Sequence, residues 1–213
     1  MQISEITSFL EGAYGVLNQH FFNGELPPVV ITIQSSPKAY GHYTPWDSWH
    51  DKQNGFREIN LGAETLDRPI ENTIATLIHE MTHHYCACHS IKETSRGGTY
   101  HNKRFKEQAE KRGLIIDYNS KIGYSITHPS DELISFIQEQ GWQSVSLARQ
   151  GAYGIGSGSN GGDDSAGGGA ATGKKKSSTR KYICPACGCS VRATKEVHIA
   201  CLDCSTQMVL EEK

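Results

Sequence analysis

The sequence predicts an α+β protein in which a catalytic domain is followed by a small metal-stabilised module, and three observations carry that reading. Helix-period and strand-period stretches are segregated along residues 1–147 instead of alternating as βαβ units. One helix-period stretch carries the pattern H-E-x-x-H as His79, Glu80 and His83. Two Cys-x-x-Cys pairs follow a glycine-rich stretch near the end of the chain.

Ile3, Ile6, Leu10, Leu17 and Phe21 recur at helical spacing, with Ser4 near the start; Asn23-Gly24 and the Pro27-Pro28 pair stop that first helix. The period then changes. Residues 29–33 alternate and are β-branched, residues 39–43 and 58–61 are shorter strand candidates, and the Pro, Asp and Gly between them read as turns. The strand just before the next helix is expected to wall a cleft, where an extended peptide adds to its edge by main-chain hydrogen bonds.

Ile70, Ile74, Leu77, Ile78, Met81 and Tyr85 form an apolar stripe at spacings of three and four, so residues around 70–85 read as a helix. Asp67 is the expected N-cap, with Pro69 inside the first turn, where its missing N–H costs no intrahelical bond. At about 100° per residue, His79 and His83 fall nearly opposite the stripe and one turn apart. One side of this helix is therefore expected in a core and the other in a cleft. Downstream, residues 86–98 read as a polar loop, 102–112 as a second helix stopped by Gly113, and 114–116 as a short strand. Ser130 caps a last helix carrying Leu133, Ile134, Phe136 and Ile137, closed by Gly141.

Two imidazoles one turn apart can reach a single Zn²⁺, and a catalytic zinc takes three protein ligands while leaving a fourth position open. His84 points about 100° away from His83. His89 would require the chain to fold straight back. His101, at the start of the second helix, lies far enough along to return across the cleft and is the expected third ligand. Cys86 and Cys88 read as small buried side chains. With His79, His83 and His101 on the ion, bound water is acidified toward a pKa of ~7, and Glu80 takes its proton as general base and returns it to the leaving amine. Tyr43, Tyr100 and His42 are candidates for stabilising an oxyanion, and their spacing does not select among them.

These residues resemble the SprT-like family of zinc metalloproteases, across most of residues 9–112. The matching pieces are N-Q-H-F-F-N-G-E-L-P-P, V-V-I-T-I, Y-G-H-Y, E-I-N-L and H-E-M-T-H-H, with G-T-Y-H-N-K-R-F as the counterpart of the family's Gly-x-x-His-x-x-x-Phe. The resemblance implies a zincin-like domain with an N-terminal helix, a small sheet, the HExxH helix and a helix carrying the third ligand. It also implies zinc-dependent peptide hydrolysis, with His101 as third ligand and Glu80 as catalytic acid/base. Members often carry a C-terminal zinc ribbon, and those of the Spartan type cleave proteins crosslinked to DNA.

Cys184-x-x-Cys187 and Cys201-x-x-Cys204 supply a closed tetrahedral Cys₄ site, hence a second, structural Zn²⁺; Tyr182-Ile183 and Met208-Val209-Leu210 read as short strands of a ribbon over 181–213. Cys189 is left outside the set. So short a module cannot build an adequate core alone, and the metal is expected to supply its folding free energy. Ten of the 22 glycines fall between residues 151 and 173, so 148–180 is expected to be a flexible linker with a basic end. Lys174, Lys175, Lys176, Arg180 and Lys181, together with the ribbon, are the candidates for contacting DNA phosphates.

A net charge of −2 excludes a uniformly basic nucleic-acid binder. No basic n-region with an apolar core opens the chain and no apolar run approaches a membrane span, so a cytoplasmic protein without a membrane partner is expected. The expected partner is a protein or peptide substrate. The competing reading is a DNA-binding zinc-ribbon adaptor with an inactive HExxH site. The intact Glu80 argues against it, because a merely structural site has no use for a carboxylate beside its ligands.

Overall fold

In the computed structural model, residues 2–36, 38–150 and 180–211 are described. The chain divides into two compact units, residues 1–169 and 170–213. The linker expected over 148–180 falls almost wholly on residues 151–179, outside the described residues.

The first unit is α+β and opens with helix α1 (Ile3–Phe21), whose buried face is Ile6, Leu10, Ala13, Tyr14 and Leu17. Gln2 occupies the cap, its backbone N–H donating to the Glu5 carboxylate. Strands β1 (Val30–Gln34), β2 (Gly41–His50) and β3 (Gly55–Gly62) form a sheet in the order β1-β3-β2, with β3 parallel to β1 and antiparallel to β2. This order corrects the expectation about the cleft wall. The strand leading into the next helix is β3, which is paired on both sides, and the strand with a free edge beside the cleft is β2. β2 is also twice the length expected, because its outer half pairs with the start of β3 through Trp49–Phe56 and His50–Gly55 beyond an irregularity.

A single 3₁₀ turn (Ala63–Thr65) leads to α2 (Ile70–Cys88). Its cap is Pro69, at an extended ψ of 140°, so Asp67 lies too early to cap it. Helix α2 is buried on nearly every face, not on one side only: His79, Glu80, His83 and His84 are as enclosed as Ile74, Leu77 and Ile78. It runs through the centre of the unit, packing against β2 and β3 on one flank and against helices and strands of a second sheet on the other.

That second sheet has the order β4-β5-β7-β6, built from β4 (Thr94–Ser95), β5 (Tyr100–His101), β6 (Leu114–Asn119) and β7 (Gly123–Pro129). Helix α3 (Lys103–Glu110) lies between β5 and β6, and α4 (Asp131–Glu139) follows β7. Ser130 Oγ accepts from the Leu133 amide at 3.2 Å, as its position in the sequence implies. His101 therefore sits on a strand, not at the start of a helix, and α3 begins only after Asn102, whose side chain accepts from the amides of Arg104 and Phe105. Each fully buried aliphatic side chain of this core, such as Leu10, Ile59, Leu77 and Leu133, contributes roughly 1.5–3 kcal/mol relative to exposure.

In the second unit, β8 (Arg180–Ile183), β9 (Ser190–Ala193) and β12 (Val209–Leu210) make a three-stranded sheet in the order β12-β8-β9, and β10 (Ala200–Cys201) pairs with β11 (Thr206–Gln207). Its buried hydrophobic cluster consists of Tyr182, Cys184, Cys201 and Met208. Among the described residues of the chain, no helix is long and apolar enough to cross a membrane.

Candidate metal centre and active site

The spacing of α2 stacks His79 and His83 one turn apart, and β5 delivers His101 against them. One ligand atom from each lies within 4.8 Å of the others, and the three side chains are buried. His83 Nε2 faces His101 Nε2 at 2.9 Å, and His79 Nε2 is buried without a hydrogen-bond partner among the described residues. Phe105, fully buried on the first turn of α3, floors the cluster, its ring centroid 4.6 to 4.7 Å from all three imidazoles.

The outward ring nitrogens are held by partners that no local pattern announced. His79 Nδ1 donates to Thr127 Oγ1 on β7 at 2.8 Å, and that hydroxyl donates onward to the Ser125 carbonyl at 3.2 Å. His83 Nδ1 donates to Glu93 Oε1 at 3.1 Å. Such partners fix the tautomer that leaves Nε2 as a lone pair aimed at a cation. Glu93 also braces the third ligand. Its carbonyl accepts from the Asn102 amide at 2.9 Å, and the next residue, Thr94, pairs with His101 across β4 and β5.

On its other side His101 pairs with Gly123 of β7, its amide donating to the Ile122 carbonyl at 3.0 Å. Gly123 is at φ 77°, and a Cβ there would stand 2.1 Å from the His101 carbonyl oxygen, so only glycine permits this approach.

Burial and the neighbouring imidazoles push His79 well below the usual histidine range, and burial carries His101 down to about 2. A neutral imidazole is the form that donates a lone pair to a metal. Three buried imidazoles converging on a rigid floor fit a tetrahedral Zn²⁺ with an open fourth position.

Glu80 follows His79 on the same helix and is buried at 2% exposure. A cleft opens at His83, lined also by His42, Tyr43, Pro45 and Trp46 of β2, by Ala87 of α2, and by Glu93, Thr94, Gly97 and Gly98. Of the three oxyanion candidates, His42 faces this cleft. Tyr43 also lines it, but its hydroxyl accepts from Arg57 Nη1 at 3.0 Å and donates to His84 Nδ1 at 3.2 Å. Burial pushes that phenol up to about 12. Tyr100 is directed to Tyr118, hydroxyl to hydroxyl at 3.3 Å.

The histidines set aside as ligands have other duties. His84 is buried against Tyr43 and the Pro27 carbonyl, and His89 stacks on Tyr85. Cys86 is buried, as its type suggests, whereas Cys88 is exposed: it lies at the last turn of α2 with its sulfur 3.6 Å from Arg57 Nη1.

In the second unit the thiols of Cys184, Cys187, Cys189 and Cys201 lie within 4.8 Å of one another. Cys189, left out on sequence grounds, enters because Gly188, at φ 74°, turns the chain back so that Cys189 O accepts from the Cys184 amide at 2.9 Å. Cys204 also reaches the group, packed on the same core and in contact with Cys187. The Cys189 amide, with neighbouring thiols, holds Cys187 down at about 6, while Cys204 is pushed up to about 12 by its bond to Cys187. So close a group of cysteine sulfurs is suited to zinc, which deprotonates its ligands outright. Of the basic residues, Lys174, Lys175 and Lys176 lie outside the described residues. Lys181 pairs with Glu211 at 2.8 Å, and Arg180 donates to the Thr194 carbonyl at 3.4 Å.

The model of the SprT-like family matches residues 10–123, which include His79, Glu80, His83, His101 and Phe105. No curated protein and no solved structure matches the chain.

Proposed function

The chain belongs to the SprT-like family, and from that premise we propose that it is a zinc-dependent metalloendopeptidase. The observation that supports this most is the meeting of three buried imidazoles from α2 and β5 beside a buried glutamate. When bound at His79, His83 and His101, Zn²⁺ supplies Lewis acidity and a water acidic enough to act as nucleophile near neutral pH.

The remaining steps belong to the chain. An extended substrate lies along the free edge of β2, its backbone fixed by strand addition and its side chains alternating toward the cleft and away. Glu80 accepts a proton from the attacking water and delivers it to the leaving amine. His42 donates to the oxygen on which charge develops. Thr127 and Glu93 keep the imidazoles oriented, and Phe105 keeps their floor dry. The ribbon holds the second zinc and, with Lys174, Lys175, Lys176, Arg180 and Lys181, recruits the enzyme to DNA-associated proteins.

The test is hydrolysis of a DNA-binding protein by wild type and Glu80→Gln, each with and without single- and double-stranded DNA. Loss of the base is expected to lower turnover by about 10²- to 10⁴-fold with zinc still bound. A Glu80→Gln protein as active as wild type removes Glu80 from the mechanism. Cleavage that ignores DNA removes the recruiting role, and DNA binding without any cleavage by wild type favours the adaptor.

A further inference from the structure

Gly41 opens β2, pairs with Leu61 of β3 and is buried. Its φ lies outside the left-handed region, so its conformation does not require glycine. Space does. A Cβ at this position would stand 2.8 Å from Glu80 Oε1, 3.0 Å from Glu80 Cγ and 2.9 Å from Thr76 Cγ2. Thr76 cannot swing aside, because its hydroxyl donates to the Asn72 carbonyl at 3.0 Å and accepts from Arg68 Nη2 at 2.9 Å. The group left to yield is the end of the Glu80 side chain.

We infer that Gly41 is a positioning residue for Glu80: the missing side chain on the edge strand creates the slot in which the carboxylate is held. The inference rests on the peptidase reading above and goes beyond it, assigning part of the substrate-binding strand to aiming the general base. Two of the three close atoms belong to the Glu80 side chain, and the third, the Thr76 methyl, is cleared by a small shift of β2 against α2, so filling the slot costs some stability and more activity.

The test is a double-mutant cycle between Gly41→Ala and Glu80→Asp, read by turnover, KM, zinc content and melting temperature, with the crystal structure of Gly41→Ala beside wild type. In the Glu80 background, Gly41→Ala is expected to lower kcat by about 10- to 100-fold, since a misplacement of about 1 Å costs up to that much. KM changes little, one zinc stays at the histidines, and melting falls by only a few degrees. In the Glu80→Asp background, where the carboxylate has withdrawn by one methylene, the same change costs less than about threefold, a non-additivity that purely structural damage does not produce. The crystal structure shows the Glu80 carboxylate displaced from its wild-type position, a readout independent of catalysis.

If Gly41→Ala does not fold, the cycle is run with Gly41→Ala/Thr76→Ser against Thr76→Ser, which takes the methyl out of the way. Equal losses in both Glu80 backgrounds, or an undisplaced carboxylate, overturn the inference while leaving the peptidase reading intact. A wild type that cleaves nothing overturns that reading instead.

Discussion

His79 and His83 hang from a helix whose apolar residues are deep in one continuous core, and His101 packs on that core through Phe105, whereas Cys184, Cys187, Cys189 and Cys201 belong to a unit whose buried hydrophobic cluster includes two of the cysteines themselves. In the first unit, burial of α1, α2, β3 and α3 places the imidazoles before any ion arrives. In the second, short strands and turns with few apolar residues would leave a bound metal as the main source of order. The difference teaches that, on the proposed reading, one chain would use the same ion in two ways, once as a reagent held by a fold and once as the support of a fold.

The largest effect expected from this contrast follows chelation. Removing metal from the full chain should unfold the second unit, as amide exchange over residues 180–211 reports, while α1, α2 and β3 keep their protection. Loss of protection throughout the first unit would erase the contrast. A smaller effect separates the partners of the imidazoles. Glu93→Ala should weaken zinc affinity at the histidines by about 10- to 100-fold in a chelator competition, with the ribbon zinc unaffected. Thr127→Val should weaken it less, because a neutral hydroxyl orients His79 where a carboxylate orients His83. The reverse order would mean that Glu93 serves the loop it sits on more than the ligand it touches.

How much of this could be read from the residues depended on how local the signal was. The metal helix is announced by Ile70, Ile74, Leu77, Ile78 and Met81, whose spacing is a property of one segment. The ribbon is announced by two Cys-x-x-Cys pairs and Ser130 by the capping position it fills. What escaped was set by sheet pairing between distant segments. That β2 rather than β3 has the free edge depends on β1 joining the sheet in parallel. That His101 stands on a strand depends on Thr94 and Gly123 on either side of it. Thr127 and Glu93 carry no motif of their own, and Gly41, though it lies in the Y-G-H-Y piece, has no side chain to suggest a role; their significance appears only when the chain brings each to the residue it supports. Cys189 escaped for a different reason: pairing cysteines by sequence interval cannot see the turn at Gly188.

The central claim is that imidazoles from α2 and β5 grip one divalent ion and leave it a vacant face. Anomalous scattering at the zinc edge from crystals of the zinc-loaded protein tests it most directly. The account predicts a peak about 2.0–2.1 Å from a ring nitrogen of each of His79, His83 and His101, with no fourth protein ligand. A peak that engages only the pair on α2, with the ring of His101 turned away and no other side chain in its place, would contradict it.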